Sequence, residues 1–231
     1  MSSLAERLAE IENRIHDAAQ KASRVREEIE LIVVSKNHPA QLAIDLINLG
    51  VRSLGENRDQ EAKAKSLEVA EAFSHSDVAY QWHFIGQLQS NKVRSALSYS
   101  AVVHSLDRQS LLDALIKSSI EISKPLPVFI QLNLTQDSGR GGIEPKNLLS
   151  FAERVLAAPG LRLLGVMGVA SLDQAPEHDF ATIRAASDDL QSLAPEAKFI
   201  SAGMSEDFEA AIGFGATHLR IGSAITGKRQ Y

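Results

Sequence analysis

Eight short apolar runs alternate with stretches of helical period along this chain, and that alternation restricts the fold more than any other feature. The runs fall at 31–35, 51–54, 81–85, 101–104, 128–134, 163–170, 198–201 and 217–221. The first, Leu31-Ile-Val-Val-Ser35, is rich in β-branched residues and nearly continuous. A parallel strand covered on both faces reads that way. Between the runs, Leu148, Phe151, Ala152, Val155 and Leu156 form an apolar stripe at helical spacing, and Phe180, Ile183, Leu190 and Leu193 form another. Strands alternating with helices build right-handed βαβ units on a parallel sheet. Eight units with no second compositional zone predict one α/β domain over 1–231, a single (β/α)8 TIM barrel.

The flanking signals fit this plan. Leu4, Leu8, Ile11 and Ile15 share one face, which predicts an extra leading helix over 1–26, lying on the barrel bottom or side. Pro39 opens a helix that runs through Leu49 and is ended by Gly50. An open doubly wound sheet would place a G-x-G-x-x-G after its first strand. Here the first strand runs into Ser35-Lys-Asn-His-Pro39 instead.

Composition removes several function classes. Lys plus Arg total 24 against 29 for Asp plus Glu, a net charge of −5, so no nucleic-acid partner is expected. There is no cysteine, which removes disulfides, thiolate nucleophiles and zinc–thiolate sites. The seven histidines show no paired-ligand spacing, so no metal is expected. The N-terminus lacks a secretory apolar segment, and no apolar run approaches the roughly 20 residues that span a bilayer. A cytoplasmic protein with no membrane partner is the expectation. Without a long apolar surface helix, it is expected to be a monomer.

In such a barrel the chemistry sits at the C-terminal ends of the strands. Two loops there suggest phosphate. Ser201-Ala-Gly-Met-Ser205 follows the seventh run, with Ser205 placed to cap the next helix, and Gly222-Ser223 follows the eighth. Glycines admit close backbone approach and serines add donors. Lys36 follows a wholly apolar strand on the same rim. A partly desolvated lysine amine attacks carbonyls, so a phosphorylated aldehyde satisfies both ends, and pyridoxal 5′-phosphate (PLP) is the standard one. Arg220, inside the eighth run, needs a partner at that depth. Either it forms an internal salt bridge with a rim carboxylate such as Glu56, or it donates to the pyridine nitrogen. An arginine would leave that nitrogen unprotonated and the ring a weak electron sink. His83 is expected to make a structural hydrogen bond. Gln89-Ser-Asn-Lys-Val-Arg94 reads equally as a helix start or a contact surface.

These residues resemble the pyridoxal 5′-phosphate homeostasis proteins, the proline-synthetase co-transcribed family. The resemblance is carried by Val33-Val-Ser-Lys36, Leu54-Gly-Glu-Asn57, Trp82-His-Phe-Ile-Gly-Gln-Leu-Gln-Ser-Asn-Lys92, Leu164-Gly-Val-Met-Gly168, Gly203-Met-Ser-Glu-Asp-Phe-Glu-Ala-Ala-Ile212 and Arg220-Ile-Gly-Ser223. It implies a barrel like the N-terminal domain of alanine racemase, standing alone. It implies PLP on Lys36 as a Schiff base, phosphate contacts from Ser201, Gly203, Ser205, Gly222 and Ser223, Asn57 and Met204 along the ring, and Arg220 facing the pyridine nitrogen. The implied role is vitamin B6 homeostasis and amino-acid and keto-acid balance without clear catalysis. PLP-dependent apo-enzymes are candidate recipients. The chain departs from the family at His38, where many relatives have a second lysine, and at Gln87, where many bacterial relatives have proline. The loop after the fifth run carries Arg140 among glycines. A PLP-dependent racemase of low activity is the second reading. Racemases of this fold take a tyrosine from a second domain, and few residues follow the eighth run here, ending in Tyr231.

Overall fold

The computed structural model describes residues 2–120, 124–135, 141–171 and 175–227. Eight parallel strands close into a barrel in chain order. They are β1 (Glu30–Val34), β2 (Ser53–Glu56), β3 (Gln81–Phe84), β4 (Ser100–Leu106), β5 (Leu126–Gln131), β6 (Leu161–Met167), β7 (Phe199–Ser201) and β8 (His218–Ile221). Helices follow them on the outside: α2 (Ala40–Asn48), α3 (Asp59–Ala72), α4 (Val93–Ala96), α5 (Gln109–Ser119), α6 (Leu148–Leu156), α7 (Pro176–Leu193), α8 (Phe208–Gly213) and α9 (Ser223–Thr226). Among the described residues no helix is long and apolar enough to cross a membrane.

The leading helix, α1 (Leu4–Lys21), is shorter than the expected 1–26. Ser3 and Glu6 form a capping box at its start: the Ser3 hydroxyl accepts the Glu6 N–H at 3.2 Å, and the Glu6 carboxylate accepts the Ser3 N–H at 2.6 Å. The helix stops because Ser23 turns into the left-handed region at φ 57°. Arg24 then reaches away to donate to the carbonyls of Ile212 and Ala216. Leu8, Ile11, Ile15, Ala18 and Ala19 are buried, and α1 packs on the barrel side against α8 and α9.

Strand edges also moved. The second run was expected at 51–54, but β2 begins at Ser53 because the Val51 N–H closes the end of α2 on Leu46 O. The fifth run was expected to extend to 134, but after the Leu132 N–H donates to Met167 O the chain leaves β6, and Asn133 N–H turns to Ile143 O.

The barrel interior has two unlike halves. Val102, Phe129, Leu164 and Met167 form a separate apolar cluster, with Val169 and Phe199 packed on it. The other half is polar. Register pairs Glu30 with His218, Ile32 with both Ser53 and Arg220, Ser53 with Gln81, and Gly55 with His83. Because strand side chains alternate in direction, Glu30, Ser53, Gln81, His83, His218 and Arg220 share the inner face. Glu30 Oε1 accepts from the Ser53 hydroxyl at 2.5 Å and from Gln81 Nε2 at 3.0 Å.

Candidate functional site

Lys36 emerges just past β1, exposed on the rim. The backbone on both sides of it is held. The Ser35 hydroxyl donates to Glu56 Oε1 at 2.8 Å, and the Ser35 carbonyl accepts from Lys65 Nζ at 2.7 Å. The Asn37 N–H donates to the Glu61 carboxylate, and Asn37 itself stands at φ 62°. Lys65 completes the clamp, 2.5 Å from Glu56 Oε1 and 3.2 Å from Glu61 Oε1. Its side chain is 4% exposed and that of Glu56 is 0% exposed. Burial raises the Glu56 carboxyl above its ordinary range, against the pull of Lys65 and Ser35.

This overturns one sequence expectation. Glu56 is one of the two partners the sequence leaves open to Arg220, but it points from β2 towards α3 and is taken by Lys65. The role of Lys65 was missed. Its signal was the Glu61–Lys65 spacing of four on a helix, which brings two side chains onto one face.

Asn57 follows β2 on the same rim and is partly buried; its Oδ1 is buried without a hydrogen-bond partner. A buried open acceptor is costly and invites a donor or a neighbouring polar group. Asn57 also lines a cavity of about 640 Å³ with Glu61, Gln87 and Lys92.

On β8, the strand beside β1, Arg220 is 4% exposed. Its Nη1 donates to the Ser201 hydroxyl at 2.6 Å and its Nη2 to the Gly168 carbonyl at 2.8 Å. Both acceptors are neutral. Burial lowers its pKa to about 10, partly offset by Asp207, so it stays protonated at neutral pH. Ser201 is fully buried, and its hydroxyl serves Arg220 and His104 rather than the open rim.

The loops after β7 and β8 meet through Ser205. Its Oγ accepts from Ala224 N and from the Ser223 hydroxyl, both at 3.3 Å. Ser205 was expected to cap the helix that follows. Instead α8 starts at Phe208, and it is Asp207 Oδ1 that accepts the Met204 N–H, at 2.6 Å. Gly203, at φ 89°, makes the turn between them, and its carbonyl accepts the Arg220 N–H at 2.9 Å. Gly222 lies against Val34, two residues before Lys36, and Ile221 pairs with Val33. The loop with Ser205 and Ser223, the floor with Arg220, and the strand end with Lys36 are therefore adjacent. Arg140 and Tyr231 lie outside the described residues.

The alanine racemase N-terminal domain family matches residues 7–230. The pyridoxal phosphate homeostasis protein of Pseudomonas aeruginosa is 39% identical over 234 residues, covering 100% of this chain and 98% of that protein. The protein of the same name from Aquifex aeolicus is 36% identical over 230 residues, covering 98% of each. The chain belongs to the pyridoxal phosphate homeostasis protein family. PipY of Synechococcus elongatus, solved with PLP bound, superposes with a TM-score of 0.80 at 29% identity, over 97% of this chain and all of PipY. Alanine racemase of Corynebacterium glutamicum shares the fold at a TM-score of 0.67 and 14% identity, and the chain covers 61% of that enzyme.

Within the family frame, the donor set suits a phosphorylated pyridine aldehyde. It offers an exposed amine on a clamped backbone, a buried cation on the floor, and two hydroxyl-bearing loops joined to each other.

Proposed function

We propose that this protein binds pyridoxal 5′-phosphate on the Lys36 amine as a Schiff base and holds it without turnover, as a carrier or buffer in vitamin B6 homeostasis. The loops carrying Ser205, Gly222 and Ser223 would take the phosphate, with Gly203 and Met204 beside it. Asn57 would flank the ring, and Arg220 would face the pyridine nitrogen. When bound, the cofactor supplies an aldehyde carbon and an electron-accepting ring.

The observation that carries this reading is Arg220, which suits carriage without turnover or at most racemisation. It keeps its charge at neutral pH and is anchored by two neutral oxygens. A cation that holds its proton so tightly leaves the facing nitrogen without one, which weakens the ring as an electron sink. Family membership and the bound cofactor of PipY support the choice of ligand. The same reading puts the protein in the cytoplasm as a monomer, with PLP-dependent apo-enzymes as recipients of its cargo.

The test is direct. Purified protein given PLP should turn yellow, and borohydride reduction followed by peptide mapping should place the label on Lys36. Lys36→Ala should take up no label. Wild-type protein that stays colourless and unlabelled would end this reading. Incubation of the loaded protein with amino acids in deuterium oxide should give no α-proton exchange. Steady exchange would replace the carrier reading with the racemase one.

A further inference from the structure

Ser201 has a second contact besides Arg220. Its Oγ is 2.9 Å from His104 Nδ1. His104 Nε2 is in turn 2.9 Å from His83 Nδ1. His83 Nε2 lies 3.2 Å from Glu30 Oε1, an electrostatic contact outside good hydrogen-bond alignment. The series crosses the barrel interior through β8, β7, β4, β3 and β1, from the floor of the candidate site to the N-terminal edge of the first strand.

The direction of each bond follows from what each group can do. At one end, a guanidinium only donates. The Ser201 oxygen therefore accepts from Arg220 and has its own proton free for His104 Nδ1. At the other end, an ionised carboxylate only accepts. A bare nitrogen 3.2 Å from it would be repelled, so His83 Nε2 carries the proton. With one proton on each ring, His83 Nδ1 must accept and His104 Nε2 must donate. His104 Nδ1 is then bare, as the Ser201 end requires. The two ends, reasoned separately, give the same tautomers.

The surroundings keep both rings neutral. His104 is fully buried, stacks on Phe129 with centroids 4.6 Å apart, and is faced by His83, His218, Arg220 and Glu30. Burial first, and then the nearness of His83, His218 and Arg220, push its pKa well down, outweighing Glu30. Burial lowers that of His83 too, with Glu30 pulling the other way. Burial also opposes the charge on Glu30, but the His218 and His83 rings facing the carboxylate outweigh it and hold it ionised. His218 Nε2 reaches Glu30 Oε2 at 3.1 Å.

We propose that His104 is a positioning residue for Arg220, the centre of a one-way hydrogen-bond chain that joins Arg220, Ser201, His104 and His83 and whose last ring faces the Glu30 carboxylate. The chain fixes the guanidinium by requiring a hydroxyl lone pair, and no proton, at the point where Arg220 donates. It rests on the reading of the rim as a PLP site, but its tautomers exist with or without a ligand.

Two measurements test it, and they fail separately. In ligand-free protein labelled with 15N-histidine, NMR should show His83 as the neutral Nε2–H tautomer at pH 7 to 8 and His104 as that tautomer from pH 5.5 to 8. An Nδ1–H tautomer at either ring, or titration of His104 in that range, would overturn the chain whether or not PLP binds. In PLP-loaded protein, the pH midpoint of the bound chromophore should move by about one unit or more in His104→Leu. His104→Asn, which keeps an acceptor where Nδ1 stood, should restore it. Ser201→Ala gives the same test should the leucine variant fail to fold. An unmoved midpoint in a folded, loaded variant would show that His104 only fills space. If wild-type protein takes up no PLP, the proposed function falls while the NMR result still decides the chain.

Discussion

Lys65 and Glu56 meet at 2.5 Å, where the lysine is 4% exposed and the glutamate not at all. Removing one member of such a pair leaves the other buried and uncompensated. Lys65→Met should therefore cost about 3–5 kcal/mol in urea unfolding. The double variant Lys65→Met/Glu56→Leu should recover most of that loss. Losing the lysine raises the Glu56 carboxyl further, so the folded single variant holds a proton that the unfolded chain gives up. Its deficit should be smaller at pH 5 than at pH 8.

Gly86 offers a test at the rim. A β-carbon there would sit 2.3 Å from the Asn57 carbonyl oxygen and 2.7 Å from its Cα, so backbone would have to move. Gly86→Ala should displace Asn57. On the proposed reading it should weaken PLP uptake at least tenfold in a spectrophotometric titration, while circular dichroism stays near wild type. Unchanged uptake would remove Asn57 from the site.

The neutral histidines predict an acid-side slope. Both His83 and His104 have folded values below the unfolded one of about 6.5, so below that pH the unfolded chain binds protons that the folded protein refuses. Their stabilisation is full above about pH 6.5 and is lost as pH falls, at up to about 1.4 kcal/mol per unit for each ring. Glu30, held low, loses its contribution only further down, and Glu56 and Asp207, held up by burial, work with opposite sign. Urea midpoints between pH 7 and 5 should fall in wild type and fall less steeply in His104→Gln.

Arg7 ties α1 to the end of the barrel, its Nε donating to Ile225 O at 2.6 Å beside Gly227. Arg7→Ala should free α9 and with it Ser223. PLP affinity should drop a few-fold, with stability lowered by about 1 kcal/mol, the worth of one such hydrogen bond. Ser3→Ala should cost about the same through the lost cap but leave affinity alone.

The strands were legible because each is covered on both faces and holds a short apolar core, nearly continuous in β1 and broken by polar residues in β2, β3, β4 and β8. Lys36 could be placed on the rim for the same reason: the run simply ends there. What the sequence hid is the polar half of the interior. Glu30, Gln81, His83 and His104 each stand among apolar or edge residues, and only register brings them to one side of the barrel. One of the two partners open to Arg220, Glu56, falls on similar grounds. Glu56 is on the correct rim, but strand alternation turns it outward, towards a lysine nine positions along the chain. The start of β2 was missed because Val51, apolar and β-branched, is used to close a helix.

The seam between β7 and β8 is a single register pair, Ser201 with His218, where β1 and β8 share four. The two loops proposed for the phosphate leave the barrel on either side of it, and α8, which joins the two strands, is packed against α1. A ligand gripped from both loops would escape when that seam breathes. Its residence time and the exchange lifetimes of the amides at 217–221 would then be one rate observed in two ways, and loading the protein would slow hydrogen exchange most at its thinnest joint.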